Sequence, residues 1–173
     1  MTSYIQNVSC FEAYQLTLKQ RACPRCHSVG FLIRHGFLRG YGLGSDVVQR
    51  GWRIFCSNRQ RRQGCGLTHA VLLSHILFRR SVTTVTWELF WRNLLAGLPF
   101  KDAWPVCAHG MECGRRLWRA WSQSHLRIRA LLCSLGPPAA EQVANPLLQT
   151  MAHLLDRFPS LAAVQVHFQI SLL

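Results

Sequence analysis

Two spacings of apolar residues divide the chain. Up to about residue 70 they come in short clusters. Phe31-Leu32-Ile33 and Trp52-Arg53-Ile54-Phe55 are rich in aromatic and β-branched side chains and read as strands. Residues 36–51 between them read as an extended hairpin, with Gly40-Tyr41-Gly42-Leu43-Gly44-Ser45-Asp46 as its tip. Residues 1–20 are mixed and predict only a short helix or strand. From His69 onward the spacing is helical. Ser81 is placed to cap a helix reaching about Ala96 and stopped by Gly97. Its apolar side chains are Val85, Leu89, Phe90 and Leu94, with Trp87 and Trp91 adding bulk. A short piece follows at 99–104, where Pro105 removes a backbone donor and keeps any helix brief. A long helix is predicted over about 112–133. Gly136-Pro137-Pro138 breaks the chain, and Pro146 suits the first turn of another helix running to Arg157. The tail, with Val164, Val166, Phe168 and Ile170, alternates as a strand would.

These elements predict an α+β chain in three parts. Residues 1–70 form a small β unit, 71–135 a mostly α-helical region, and 136–173 a C-terminal helix and tail that could dock a partner or a second copy. Of the residues, 49% are hydrophobic, enough for a packed core and too many for a disordered tail. No apolar run approaches the roughly 18–20 residues of a membrane helix. The first ten residues lack the basic and apolar segments of a secretory signal. The expectation is a cytoplasmic, nucleoid-associated protein with no membrane partner.

Charge narrows the partner. Twenty basic residues face seven acidic ones, for a net +13 and a pI near 10.5. Eighteen of the twenty are arginine, whose planar fork suits phosphates and guanine edges. Residues 1–80 carry +10, residues 81–133 carry +4 and the remainder −1. A positive field confined to the first three quarters of the chain points to a polyanion.

The cysteines account for the β unit. Cys23-Pro24-Arg25-Cys26 is a C-x2-C knuckle whose two thiolates reach one tetrahedral zinc. Cys56 and Cys65 supply the second pair, eight residues apart, with Ser57 to Gly64 read as a loop inserted into that knuckle. The alternative pairs Cys65 with His69 and leaves Cys56 spare. Pair, hairpin, pair is the arrangement of a zinc ribbon with one structural Zn2+. Cys10, Cys107, Cys113 and Cys133 are scattered and read as ordinary core thiols.

Two sets of arginines are candidates for DNA contact. The inserted loop carries Arg59, Arg61 and Arg62, a basic finger anchored at both ends by metal ligands. On the long helix, at 100° per residue, Trp121, Ile128, Leu131 and Leu132 fall within about 60° of Leu117. Arg115, Arg116, Arg119, Arg127 and Arg129 fall on the other side. Apolar anchoring behind and donors in front is what a recognition helix needs. Arg115, Arg116 and Arg119 are placed to read base edges; Arg127 and Arg129 are placed for phosphates.

In this order the motifs resemble the DNA-binding front of bacterial insertion-element transposases. Those begin with a CPxC zinc ribbon and an R/H-H-G strand. An aromatic strand into a second knuckle and a helix-turn-helix follow. Here Cys23-Pro24-Arg25-Cys26, Ile33-Arg34-His35-Gly36, Trp52-Arg53-Ile54-Phe55-Cys56 and Cys65-Gly66-Leu67-Thr68 match over roughly residues 20–130. The resemblance implies a sequence-directed binder of double-stranded DNA, accessory to a separate recombinase or transposase, possible as a homodimer. The seven acids are scattered, so the three clustered carboxylates of strand-transfer chemistry are not expected, nor an enzyme. A zinc-ribbon transcriptional regulator and a truncated or divergent transposase with cryptic activity are the alternatives.

Overall fold

The computed structural model describes residues 2–42, 46–60, 63–105, 109–138 and 145–173. The β-prone clusters form strands β1 (Thr2–Ile5), β2 (Leu32–Tyr41), β3 (Val47–Cys56) and β4 (Thr68–Leu73). They make one sheet of order β1-β4-β3-β2. β3 runs antiparallel to both β2 and β4, and β1 lies parallel to β4. The helices are α1 (Val8–Leu16), α2 (Thr84–Leu95), α3 (Phe100–Ala103), α4 (Met111–Leu135), α5 (Pro146–Arg157) and α6 (Leu161–Phe168). The chain is therefore α+β, with a four-stranded sheet and six α-helices among the described residues. None of these helices is long and apolar enough to cross a membrane.

Two cores result. The first lies on the sheet, where Trp52 of β3 stacks on Phe11 of α1 with ring centroids 3.7 Å apart and planes at 4°. Leu18, Leu32, Ile54, Val71 and the sulfurs of Cys23 and Cys56 close around that pair. The second is helical and built on tryptophan. Trp87 and Trp91 of α2, Trp104 just after α3, and Trp121 of α4 pack with Leu117, Ile128 and Leu132. This set corrects the face expected for α2. Val85 and Leu89 are 69% and 48% exposed, while Trp87, Phe90 and Trp91 are fully buried. The rings bury far more area than the aliphatic side chains, so they choose which side of the helix turns inward. The cap of α2 is also two residues later than expected. The Thr83 side chain, not Ser81, accepts from the Thr86 amide.

Pro105 acts as its ring dictates. α3 stops after four residues, and Trp104, immediately before the proline, is extended at φ −69°, ψ 120°. The indole Nε1 of Trp104 donates to the His109 carbonyl at 3.1 Å, holding the corner that leads into α4. A Cβ on Gly114 would sit 2.8 Å from the Trp104 ring, so only glycine lets α4 come this close. α4 itself has 25 residues and spans about 37 Å.

The tail is helical, not a strand. Val164, Val166, Phe168 and Ile170 alternate in sequence, but residues 161–168 form α6, with Leu161 and Val164 fully buried. Polar contacts decide it. Ser160 caps the helix by accepting from the Ala163 amide, and the Leu161 amide donates to Glu88 Oε2 of α2 at 3.0 Å. The buried Gln165 amide donates to the carbonyls of Ser74 and Ile76, at 2.7 and 3.1 Å. Gln169 closes the edge of β1 by exchanging bonds with the Tyr4 backbone, at 2.9 and 3.0 Å. Leu154 and Met151 of α5 join the same core, with Leu147, Leu148 and Leu155 packed against it.

Two changes test this packing. Removing residues 161–173 takes Leu161, Val164 and Leu172, each fully buried, out of the helical core and is expected to abolish the cooperative thermal unfolding of the full chain. Trp121→Ala, at a fully buried ring 4.5 Å from that of Trp91, is expected to cost about 3–5 kcal/mol in chemical denaturation.

Candidate metal centre and basic face

The two knuckles are the same piece of backbone made twice. In the first, the Cys23 amide donates to the Ser28 carbonyl and the His27 amide to the Cys23 carbonyl, both at 2.9 Å. The Arg25 amide points at Cys23 Sγ, 3.4 Å away, and His27 takes the left-handed conformation at φ 59°. In the second, the Cys56 amide donates to the Leu67 carbonyl and the Gly66 amide to the Cys56 carbonyl, both at 3.0 Å. The Cys65 amide points at Cys56 Sγ, 3.3 Å away, and Gly66 is left-handed at φ 72°. The extra residues leave and return between Ser57 and Gly64, whose backbones bond at 3.1 Å. A Cβ on Gly64 would run into the Ser57 carbonyl, so the pinch requires glycine.

The four sulfurs meet. Cys23, Cys26, Cys56 and Cys65 place one ligand atom each, all within 4.8 Å of one another. Cys23 Sγ lies 3.8 Å from Cys65 Sγ, and Cys26 Sγ 3.7 Å from Cys56 Sγ. Four thiolates at about 2.3 Å from a tetrahedral zinc sit about 3.8 Å apart, so the observed separations fit one such ion. It is the one cluster of three or more cysteine, histidine or acidic side chains with metal-binding geometry among the described residues. His69 stands beside it, with Nε2 3.4 Å from Cys23 Sγ, and Cys56 is inside it. Hydrogen bonds from Ser28 hold the Cys26 thiol down at about 6, whereas burial pushes the Cys56 thiol up to about 12. Of the scattered cysteines, Cys10 and Cys113 are half-buried and Cys133 is exposed rather than in the core. Cys107 lies outside the described residues.

The candidate DNA-contacting arginines separate into groups. Arg115, Arg116 and Arg119 are exposed on the outer face of the first turns of α4. Glu112 lies 3.7 Å from Arg115 and 3.5 Å from Arg116, in weak solvent-exposed pairs. The Arg119 guanidinium has no hydrogen-bond or ion-pair partner among the described residues. Arg127 and Arg129 flank the buried face instead of joining that group. Arg127 Nη2 donates to the Ser171 carbonyl at 3.0 Å, and Arg129 is half-buried. Arg59 is exposed, with its guanidinium 5.4 Å from the centre of the Phe55 ring. Arg61 and Arg62 lie outside the described residues.

The basic residues outside those sets are not alike either. Arg50 sits at a register shift of the β2–β3 hairpin and reaches across to the turn before α2. Its Nη2 donates to the carbonyls of Leu77, at 3.2 Å, and of Arg80. Nothing local in the sequence marks this contact, because these two carbonyls lie about thirty residues away. The pair Arg79-Arg80 is legible as two adjacent charges, and the structure turns both toward the start of α4.

Metal retention tests the centre. Cys56→Ser and Cys65→Ser are each expected to lose the ion, read as metal per chain after dialysis. His69→Ala is expected to keep one ion per chain while weakening affinity by about 10–100-fold, as for a group that bonds a ligand without being one. Acid works in one direction. At neutral pH Cys26, at about 6, brings no proton to displace, while Cys56, at about 12, brings one. Below about pH 6 Cys26 brings one as well, so metal affinity in a chelator competition should fall more steeply there than between pH 7 and 8.

No protein-family model, no curated protein and no solved structure matches this chain.

Proposed function

We propose that this chain binds double-stranded DNA in a sequence-directed way, through a zinc ribbon and a helix-turn-helix. The ribbon comprises the two knuckles, the β2–β3 hairpin and β4, with one structural Zn2+ on Cys23, Cys26, Cys56 and Cys65. Four protein ligands leave no open position for water or substrate, so the ion holds the fold and does no chemistry. The helix-turn-helix comprises α2, α3 and α4, with α4 as the reader.

The observation that carries this reading is the first three turns of α4. Arg115, Arg116 and Arg119 stand on one exposed face, while Gly114, Leu117 and Trp121 are locked into the core behind them. A guanidinium reads a base edge only if its helix cannot roll, and the tryptophan packing prevents rolling. The net charge of +13 supplies the sequence-independent attraction that brings such a helix to the duplex. The order of motifs, from CPxC through the second knuckle to α4, supports an accessory or transposase-like role in a bacterial mobile element, acting beside a separate recombinase.

Selection of duplexes from a randomised pool, followed by anisotropy titration, tests the reading. Arg119→Ala is expected to cost about 1–3 kcal/mol on the selected site and to relax its sequence preference. Wild-type chain that selects no sequence, or an Arg119→Ala chain that discriminates as well as wild type, overturns it.

A further inference from the structure

We propose that the turn at residues 77–81, between β4 and α2, forms with Arg116 a cleft that grips a phosphate of the nucleic-acid backbone. This rests on the duplex-DNA reading and names a contact that positions the protein without reading sequence.

The cleft is about 300 Å³ and is lined by Arg79, Arg80, Ser81, Glu112 and Arg116, with Cys113 and Leu117 at its base. Three guanidiniums therefore face one carboxylate, and that carboxylate already lies against Arg115 and Arg116. The guanidiniums of Arg79 and Arg80 make no hydrogen bond or ion pair among the described residues. Like charges drawn together in excess of the one counter-charge raise the energy of the free protein, and an anion between them relieves it. Arginine forks beside a serine hydroxyl match the oxygens of a phosphodiester.

The turn is held without using those guanidiniums. Arg50 donates to the carbonyls of Leu77 and Arg80. The Arg80 amide donates to the Leu77 carbonyl at 3.1 Å, and the Thr84 amide to the His75 carbonyl at 2.9 Å. Arg79 is left-handed at φ 57°, and its guanidinium rests 5.1 Å from the centre of the Phe78 ring. A backbone held this way presents two guanidiniums that no hydrogen bond occupies, so little backbone freedom is lost on binding.

Position favours a backbone contact. Arg80 also lines a depression with Gln123 and Arg127 farther along α4. Arg79 lines another with Arg39 on the sheet. The turn joins the arginines of the sheet to those of α4 in one basic surface, and a duplex crossing that surface passes its phosphates over the cleft. Arg116 faces the turn, whereas Arg119 has no place in the cleft. Arg116 accordingly grips phosphate and leaves base reading to its neighbours, a change from the role its sequence position suggested.

The test uses the full zinc-loaded chain, its selected duplex and an unrelated duplex, over about 50–200 mM salt. The double variant Arg79→Gln/Arg80→Gln is expected to weaken both duplexes alike, by about tenfold or more. It should also flatten the slope of log K against log salt by about 0.9 for each phosphate no longer gripped. Glu112→Gln, which removes the acid of the cleft, is expected to tighten both duplexes severalfold. Melting temperatures confirm that each variant is folded. A double variant with wild-type affinity and slope overturns the cleft and leaves the DNA reading standing. Lost discrimination with unchanged slope also overturns it, because the arginines then read bases. If the double variant does not fold, Glu112→Gln decides alone: tighter binding supports the cleft and unchanged binding overturns it. Wild-type chain that binds no duplex overturns the DNA reading and the cleft with it.

Discussion

Cys23, Cys26, Cys56 and Cys65 crowd four sulfurs within 4.8 Å of one another, in a place where Cys23 and Cys56 have no exposure to solvent. Four thiolates there would repel one another and be stripped of water, and a cation among them would offset both costs. The same cluster ties residue 23 to residue 65. In doing so it sets the base of the β2–β3 hairpin, the start of β4 and both ends of the inserted loop. The β unit has a small core, centred on the Phe11–Trp52 stack, and little else to hold its knuckles. These four sulfurs could hold one metal ion, and its binding would then be coupled to the folding of this half. The repeated hydrogen-bond pattern shows how an eight-residue spacing does the work of a two-residue one: the backbone pinches shut at Ser57 and Gly64, and Cys56 and Cys65 meet across the pinch.

Among its described residues the second half has no such staple, and it relies on area. Four fully or nearly fully buried tryptophans, Trp87, Trp91, Trp104 and Trp121, fill the space among α2, α3 and α4. The halves are joined by polar side chains that reach across. Gln165 and Gln169 bond the loop after β4 and the backbone of β1, and Arg50 bonds the turn before α2. Each satisfies carbonyl groups that would otherwise be stranded at the junction. These directional bonds fix the angle between sheet and helices, which apolar contact alone leaves loose. A surface that spans the junction, as the basic one does, needs that fixed angle.

The arginines show why charge counted along a sequence is a poor map of where positive charge stands free on the surface. Arg50, Arg92, Arg127 and Arg157 each bond carbonyl or carboxylate groups of their own chain. Arg115, Arg116 and Arg119 on α4 and Arg79 on the turn are exposed, with Arg80 half-buried beside them. Arg129 projects on the same broad half of the helical wheel as Arg119, yet it is half-buried, because α5 packs along that flank of α4.

By itself the sequence determined the elements whose cause is local. Turn glycines and β-prone clusters set the hairpin; 3.6-residue spacing set α4, with Leu117, Trp121, Ile128 and Leu132 inward. Pro105 limited α3, Pro146 opened α5, and cysteine spacing named the four cysteines whose sulfurs the structure gathers. Tertiary structure decided whatever depends on partners distant in the chain. β1 is a strand because β4, more than sixty residues later, offers a parallel edge. α2 turns Val85 and Leu89 outward because the tryptophans of two elements pack better than its aliphatic stripe. The tail carries both an alternating pattern and a helical one through Leu161, Val164 and Phe168. Burial alone satisfies either; Glu88 at the helix start and the carbonyls waiting for Gln165 favour the helix. A single guanidinium holds a phosphate, a base edge or a carbonyl with equal chemistry. Which one it holds depends on what the fold sets in front of it.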